Sequence, residues 1–182
     1  MILYYLLLMI LIVFMILMAF YVFSSLYSLA ISRGVPYVPL SKKKLKFLRE
    51  KIKLPNDCRL VDLGCGNGRV MRFFEKQGIN NVDGYEINGW ALLWGKFLNF
   101  IFHSKTKIYS KNFNKIDLSK YDVVFCYLLD NALLSLREKF DRELKHGTKI
   151  ITYDFAIGDW HKSVQYFESP EKWVGRIYVY EI

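Results

Sequence analysis

The residues best suited to chemistry are three glycines at alternate positions. Gly64, Gly66 and Gly68 follow the apolar run Arg59–Leu63, where a predicted strand turns into a helix. Glycine lets the backbone take left-handed dihedrals and approach a ligand closely, and the following helix begins with free N–H groups. The pattern predicts a ligand-binding loop, although a purely structural turn would also explain Gly66 and Gly68.

Two carboxylates make this loop more specific. Asp62 lies two residues before the first glycine, where it can reach a ligand's ammonium group directly or through water. Glu86 ends the next predicted strand, from which a carboxylate accepts both hydroxyl groups of a ribose in a doubly wound sheet. Either residue alone could be a solvated strand end. Together with the glycines they predict a site for a cationic amino acid joined to a ribose.

Alternating strands and helices are predicted to position these residues. Strands are expected at residues 59–63, 81–86, 107–110, 122–127 and 148–155, with helices at 42–53, 68–77, 89–102 and between the last two strands. This order predicts a mostly parallel sheet covered by helices on both faces. Two further strand-like runs, 164–168 and 175–180, have no helix between them and predict an antiparallel hairpin at the sheet edge.

Residues 61–68, with the sequence Val-Asp-Leu-Gly-Cys-Gly-Asn-Gly, resemble motif I of class I methyltransferases that use S-adenosyl-L-methionine (SAM). Residues 84–86, Gly-Tyr-Glu, resemble the acidic end of the second strand in that fold. The resemblance implies a SAM-dependent methyltransferase with a Rossmann-like α/β fold, whose seven-stranded, mostly parallel sheet ends in an antiparallel hairpin. The cofactor-binding residues implied are Asp62, Gly64, Cys65, Gly66, Asn67, Gly68 and Glu86, with Asn112 and Phe113 bordering the adenine.

The N-terminus carries a membrane signal. Residues 1–32 contain no charged side chain, and residues 2–23 are almost wholly apolar. Because about 20 apolar residues cross a hydrocarbon core, this stretch predicts one transmembrane helix, in preference to a buried core helix. A cleavable secretory signal is the rival interpretation, but its charged n-region is absent. Basic residues follow the span at positions 33, 42–44, 46, 49, 51 and 53, which places the C-terminal domain on the cytoplasmic side by the positive-inside rule.

Length and composition limit the remaining possibilities. The 182 residues allow one ordinary domain and a short appendage, and the net charge of +9 suits anionic lipid, nucleic acid or an acidic protein. The spacing of the three cysteines and three histidines predicts neither a disulfide framework nor a metal site. The expected organisation is a transmembrane anchor at 1–31, a basic juxtamembrane linker and helix at 32–54, and a SAM-dependent methyltransferase domain at 55–182.

A narrower resemblance concerns the order of segments along the chain. A membrane segment, Pro-Tyr-Val-Pro at 36–39, motif I, Glu-Ile-Asn at 86–88 and the run 111–122 follow one another as in the membrane-anchored lysine methyltransferases of the ATP synthase c-subunit and the adenine nucleotide translocase. This similarity implies a protein-lysine N-methyltransferase whose substrate is a small membrane protein. The alternatives are methylation of a lipid or quinone head group and a non-catalytic membrane scaffold. No Asn-Pro-Pro-Tyr or Asp-Pro-Pro-Tyr run follows the fourth strand, which disfavours nucleic acid.

The acceptor side of the site is marked less clearly. Tyr127 and Asp130 follow the fourth predicted strand and Asp154 ends the fifth, so they are candidates to border the reacting amine. Each has a plainer interpretation, as a packed ring, a helix cap and a solvated strand end respectively. Trp90 opens a helix with little polar face, which predicts either full burial or contact with lipid or a transmembrane substrate. The residues expected to line the path of the substrate are Tyr37, Pro39 and Trp90.

Overall fold

A computed structural model describes residues 1–31 and 38–182, which form one long apolar helix and an α/β domain. The helices are α1 (Ile2–Ile31), α2 (Lys42–Lys51), α3 (Arg69–Glu75), α4 (Gly89–Ile101) and α5 (Asp130–Glu143). The strands are β1 (Arg59–Leu63), β2 (Asn81–Glu86), β3 (Lys107–Ser110), β4 (Val123–Cys126), β5 (Lys149–Tyr153), β6 (Val164–Glu168) and β7 (Arg176–Glu181).

The strands form one sheet in the order β3-β2-β1-β4-β5-β7-β6. The first five strands in this order are parallel, and β7 runs antiparallel to both β5 and β6. The order reverses at β1, so the carboxyl ends of β1, β2 and β4 meet at one edge, where α/β sheets bind ligands. The predicted Rossmann-like methyltransferase fold, including its closing hairpin, is confirmed.

Side chains alternate between the two faces of the sheet. Leu60 and Phe125 belong to a core that also contains buried residues of α2 and α3, while Val61 and Cys126 belong to a second core with α5. A strand buried on both faces explains why β1 and β4 read as continuous apolar runs. Asp62 is the exception among the buried residues of β1. It is a carboxylate on the same face as Leu60, and only 2% of its surface is exposed.

Several element ends differ from the sequence-based expectation by one or two residues, and the ends of α2 and β5 bear on the site. Ser41 caps α2 as the sequence suggests, and its hydroxyl accepts the N–H of Lys44 at 3.2 Å. The helix stops at Lys51, two residues early, because Ile52 takes an extended conformation. Strand β5 stops at Tyr153 because Asp154 adopts a left-handed conformation with φ of 66°. A non-glycine residue in that region is uncommon and is often found at functional sites.

Helix α1 is long and apolar enough over Ile2–Tyr27 to cross a membrane. Its C-terminal half packs on the start of α4, where the ring centroid of Trp90 lies 5.8 Å from that of Tyr21 and 6.2 Å from that of Phe20. The interpretation of α4 as a fully buried helix is wrong, since Phe100 is 76% exposed and Leu93 is 55% exposed. One face of α4 instead carries a row of exposed apolar side chains.

Candidate active site

The glycine-rich loop joins β1 to α3 through a backbone that few other residues could adopt. Gly64, Gly66 and Gly68 all have positive φ, at 76°, 54° and 73°. The N–H groups of Gly64 and Cys65 donate to the Tyr85 carbonyl at the end of β2, at 2.9 and 3.2 Å. The loop is therefore held against the neighbouring strand, with its backbone along one wall of a cavity.

Glu86 links this loop to the end of β2. One carboxylate oxygen accepts the N–H of Gly66 at 2.8 Å, and the other accepts those of Ile87 and Asn88 at 2.8 and 2.7 Å. Burial raises the pKa of Glu86, although these backbone hydrogen bonds work in the opposite direction. A carboxylate has about four acceptor sites and three are used here, so the oxygen that binds Gly66 can still accept a hydroxyl group from a ligand.

Asp62 is the charged group in the site that most needs a partner. Its side chain is almost fully buried and borders the cavity, and within residues 1–31 and 38–182 no donor reaches its carboxylate. Burial, with a smaller contribution from the Glu86 charge, raises the pKa of Asp62 to about 8. A buried anion without a partner is costly, so a cationic ligand group placed here would be bound strongly.

The cavity at the carboxyl edge of the sheet has a volume of about 760 Å³. Ligand sites typically enclose about 300–1,000 Å³, so a nucleoside-sized molecule fits. The predicted cofactor-binding residues that line it are Asp62, Gly64, Cys65, Asn67, Glu86, Asn112 and Phe113. Gly66 and Gly68 lie in the same loop, and Gly66 contributes through its hydrogen bond to Glu86. The fold therefore brings together residues that the sequence places in separate stretches.

The side of the cavity beyond β3 is formed by a short 3₁₀ turn, Phe113–Lys115. The Asn112 side chain caps the turn by accepting the N–H of Asn114 at 2.9 Å. Phe113 is half-buried at the rim, where its ring offers a flat apolar surface. On the opposite wall, burial raises the pKa of the Cys65 thiol well above its ordinary value, so this cysteine is a neutral lining group.

At the other end of the cavity, Tyr127 contacts the half-buried ammonium group of Lys44. The Nζ atom of Lys44 donates to the Tyr127 hydroxyl at 3.3 Å, pairs with the Asp154 carboxylate, and lies 5.2 Å from the ring centroids of Tyr127 and Tyr153. Burial alone would lower the pKa of Lys44, but the hydrogen bonds to Asp154 and Tyr127 outweigh it and the pKa is raised. Two rings and a carboxylate are the groups that recognise alkylammonium ions.

The position of Asp154 depends on Gly175. A Cβ atom at residue 175 would lie 1.8 Å from Oδ1 of Asp154, closer than any real contact. The backbone of Asp154 is tied to the same segment, because its N–H donates to the Arg176 carbonyl at 2.8 Å. The carboxylate is thus fixed by the start of β7, and it is not a freely solvated strand end.

The remaining predicted residues are more scattered. Pro39 lines the cavity, whereas Trp90 packs on α1 and is not among the lining residues. Tyr37 lies outside the described residues. Asp130 is exposed and is the first residue of α5; the cap is Leu129, so the interpretation of Asp130 as the helix cap is wrong. Its carboxylate instead accepts the N–H of Asn131 at 2.9 Å.

Several contributors were not found from the sequence. Buried Arg72 donates to the Asn67 carbonyl at 2.8 Å and to the Asn99 side chain at 2.7 Å, which ties the glycine-rich loop to α4. Lys44 was assigned only to a basic helix, and Tyr153 only to a strand. The signal for Lys44 was its position three residues after the Ser41 cap, since the first turn of a helix that covers the sheet edge points toward the site.

Comparison with known proteins gives consistent matches. The ANTKMT methyltransferase domain matches residues 62–164. A protein-lysine N-methyltransferase of Saccharolobus islandicus is 33% identical over 131 residues, which cover 70% of this chain and 81% of that protein. The human lysine N-methyltransferase of the ATP synthase c-subunit is 28% identical over 69% of this chain, a match that spans only 54% of the human protein.

Among solved structures, an RNA methyltransferase from Salinibacter ruber in complex with S-adenosyl-L-homocysteine has the same fold. It superposes with a TM-score of 0.67 at 24% identity, covering 79% of this chain and 91% of that one. The shared sheet and the cavity residues define a class I methyltransferase, an enzyme that uses SAM as cofactor. Within that class, the chain belongs to the ANTKMT methyltransferase domain family.

Proposed function

We propose that this protein is a protein-lysine N-methyltransferase that is anchored in a membrane by α1 and modifies a small membrane protein. The observation that carries the proposal is the environment of the Lys44 ammonium, between the rings of Tyr127 and Tyr153 and beside the Asp154 carboxylate. Tyr127 also lines the cofactor cavity. An alkylammonium ion is therefore accommodated next to the cavity, which is the chemistry expected where a substrate lysine meets the cofactor.

The cofactor roles follow from charge and position. Asp62 binds the ammonium group of the methionyl part, and its buried carboxylate supports this role because a cation there relieves an unfavourable charge. Glu86 accepts the ribose hydroxyls, while Asn112 and Phe113 border the adenine. The glycine-rich loop at Gly64, Cys65, Gly66, Asn67 and Gly68 contacts the ligand mainly with its backbone. When bound, SAM supplies an electrophilic methyl group on a positively charged sulfur.

The acceptor residues have to align an amine and exclude water. Methyl transfer is an in-line displacement, so alignment and desolvation supply most of the catalysis. Tyr127 lines the cavity and orients the substrate amine, while Asp154 acts through Lys44, which it pairs with and which donates to the Tyr127 hydroxyl. Buried Phe125 and Leu128 keep that end of the cavity dry. A lysine ammonium brought next to a bound sulfonium loses its proton more readily, because like charges repel. Asp130 has no role in this arrangement.

The membrane part of the proposal rests on α1 and on the relatives. α1 meets the length and composition of a span. The human relative is named for its substrate, the c-subunit of the ATP synthase, which is a membrane protein. We infer an anchor at 1–31, a basic segment at 32–54 and a methyltransferase domain at 55–182, with that domain on the cytoplasmic side. Helix α2 packs Phe47 and Leu48 into the domain core, so this helix also belongs to the fold.

The proposal can be tested by incubating membranes with the full-length protein and methyl-labelled SAM, then counting label in protein and in the organic extract separately. We expect label in a small hydrophobic protein, and none with Glu86→Ala. The matched control is Glu75→Ala, which removes a carboxylate that binds Ser104 and Lys105 away from the cavity. Label only in the organic extract would establish the lipid or quinone alternative, and SAM binding without transfer to either fraction would contradict the enzyme assignment.

A further inference from the structure

One side of α4 is a continuous apolar surface. The exposed side chains Leu93, Trp94, Phe97, Phe100 and Ile101 recur three or four residues apart, and Trp90 lies on the same side one turn earlier. This spacing places them in one stripe along the helix. We call these six residues the α4 stripe. Exposed apolar patches of this kind mark sites that contact another apolar phase or partner.

The orientation of the stripe is fixed because the opposite side of α4 is fully engaged by the domain. Ala91 and Gly95 are buried, and a Cβ atom on Gly95 would lie 3.1 Å from the Asn67 Cα atom in the cofactor loop. Asn99 on the same side donates to the Thr106 carbonyl at 2.9 Å. The helix therefore cannot rotate to bury the stripe without breaking the cofactor site.

The α4 stripe begins where α1 packs on the domain. Trp90 packs edge-to-face on Tyr21, and Gly89 allows the close approach of Phe20, whose Cζ atom would lie 3.3 Å from a Cβ at residue 89. Ser24 on α1 is buried nearby. The apolar surface of α1 is thus continuous with that of α4 through this contact.

The depth of α4 follows from the length of α1. A hydrocarbon core takes about 20 helical residues, and the candidate span Ile2–Tyr27 carries Tyr21 in its C-terminal part, toward the boundary that faces the domain. Tyrosine and tryptophan favour this boundary. Because Trp90 contacts Tyr21, α4 starts at the membrane interface and not in bulk water.

Basic side chains flank the stripe. Lys96 is exposed on α4 itself, and the Nζ atom of Lys76 lies 5.7 Å from the ring of Phe102, just past the helix end. Lys105 and Lys107 are exposed in the following segment. Such cations next to an inserted apolar face favour anionic lipid headgroups, at about 1 kcal/mol each near the surface.

We propose that the α4 stripe is a second membrane contact, which lies in the bilayer interface of the leaflet facing the domain. The occupant of the surface is lipid. This inference rests on the proposed anchoring of the chain by α1. Two contacts would fix the tilt of the domain, and since α4 packs directly on the cofactor loop, the active site would be held close to the bilayer surface, within reach of a substrate that barely emerges from it.

The test uses the full chain in bilayers that contain anionic lipid, with spin labels on single introduced cysteines. The native cysteines Cys58, Cys65 and Cys126 are buried and the pKa of each thiol is raised, so they react much more slowly than an introduced exposed cysteine. The labelled variants are Phe100→Cys on the stripe, Leu11→Cys in α1, and the control Tyr166→Cys on β6, which is 61% exposed at the opposite edge of the sheet. Accessibility of each label to oxygen and to a water-soluble nickel chelate reports its depth.

We expect oxygen to dominate at residues 11 and 100 and the nickel chelate to dominate at residue 166. A label at residue 100 that matches residue 166, while residue 11 lies in the bilayer, would overturn the α4 inference and leave the anchor intact. A label at residue 11 in water would instead overturn the anchor and the inference together. Leu93→Cys, also on the stripe, gives an independent reading if Phe100→Cys does not bind SAM normally.

Discussion

The two ends of the active-site cavity differ in how their carboxylates are neutralised. At the cofactor end, Asp62 and Glu86 are buried and their pKa values are raised because burial disfavours the charged form, so a cationic ligand placed there would favour ionisation of these carboxyl groups. At the acceptor end, Asp154 is already paired with the Lys44 ammonium and flanked by two tyrosine rings. One end is prepared for a ligand charge, and the other already holds an ammonium group.

This difference predicts that SAM binding and methyl transfer can be impaired separately. Changes at the cofactor end should weaken SAM binding and therefore abolish every later step. Changes at the acceptor end should leave SAM binding intact and reduce only methyl transfer to the substrate. The following variants test whether the two ends can be separated in this way, starting with the largest expected effect.

Glu86→Ala should have the largest effect, because it removes both the ribose acceptor and the hydrogen bonds to Gly66, Ile87 and Asn88. We expect the Kd for SAM, measured by calorimetry, to rise by about 100-fold or more. Glu75→Ala also deletes a hydrogen-bonded carboxylate, and it should lower stability without changing the Kd. Equal Kd values for the two variants would contradict the assignment of Glu86.

Asp62→Asn should weaken SAM binding less, by about 10- to 100-fold, which corresponds to one charge-assisted hydrogen bond of about 1.5–3 kcal/mol. The fold remains intact because Asn has the same shape and no charge to bury. Asp57→Asn changes an exposed carboxylate a few residues earlier and should bind SAM normally. An unchanged Kd for Asp62→Asn would remove this residue from the site.

The unmodified protein and Asp62→Asn should also differ in how their stability depends on pH in the absence of ligand. The pKa of Asp62 is raised from 3.8 to about 8 in the folded state, so the folded protein binds more protons than the unfolded chain across this range. Stability contributed at this position is therefore lost as pH rises toward 8. We expect Asp62→Asn to gain in Tm relative to the unmodified protein between pH 5 and 8, by about 3 °C or more. A constant Tm difference would show that Asp62 stays ionised throughout.

Asp154→Asn should affect only the acceptor end. The substitution removes the charged partner of the Lys44 ammonium, which then contacts only the rings of Tyr127 and Tyr153 and the Tyr127 hydroxyl. We therefore expect kcat/KM for the protein substrate to fall about tenfold at an unchanged Kd for SAM. Asp159→Asn alters an exposed carboxylate in the same loop and serves as the control. Weaker SAM binding by Asp154→Asn would mean that the two ends are not separable.

Gly175→Ala should give the smallest change in methyl transfer. It tests the position of the Asp154 carboxylate without altering that residue. Gly147 has the same φ of 86° but nothing within 4 Å of a Cβ, whereas a Cβ on Gly175 would collide with the Asp154 carboxylate. Both alanine variants should lose about 1 kcal/mol of stability from backbone strain, and Gly175→Ala should lose more because Asp154 has to move. Only Gly175→Ala should also reduce methyl transfer, by a few-fold, and equal activities would contradict the role of this contact.

The same comparison explains what the sequence could predict. The cofactor end was recognisable because Asp62 and the three glycines fall within seven consecutive residues, and Glu86 follows at the end of the next strand. The acceptor end could not be recognised from the sequence, because its residues are far apart along the chain. Lys44 lies on α2, Tyr127 follows β4 and Asp154 follows β5. Their meeting depends on how α2 covers the sheet and on the left-handed turn at Asp154, which no local pattern encodes. Single candidates such as Tyr127 could be named, but not their partners.

The most direct test of the central claim is to identify the methylated residue. Membranes are incubated with methyl-labelled SAM and the full-length protein and are then delipidated. The membrane proteins are hydrolysed in acid, and the labelled amino acids are separated. We predict that the label appears as methylated lysine, that Glu86→Ala abolishes it, and that Glu75→Ala retains it. Label on any other amino acid, or methylated lysine that persists with Glu86→Ala, would contradict the account.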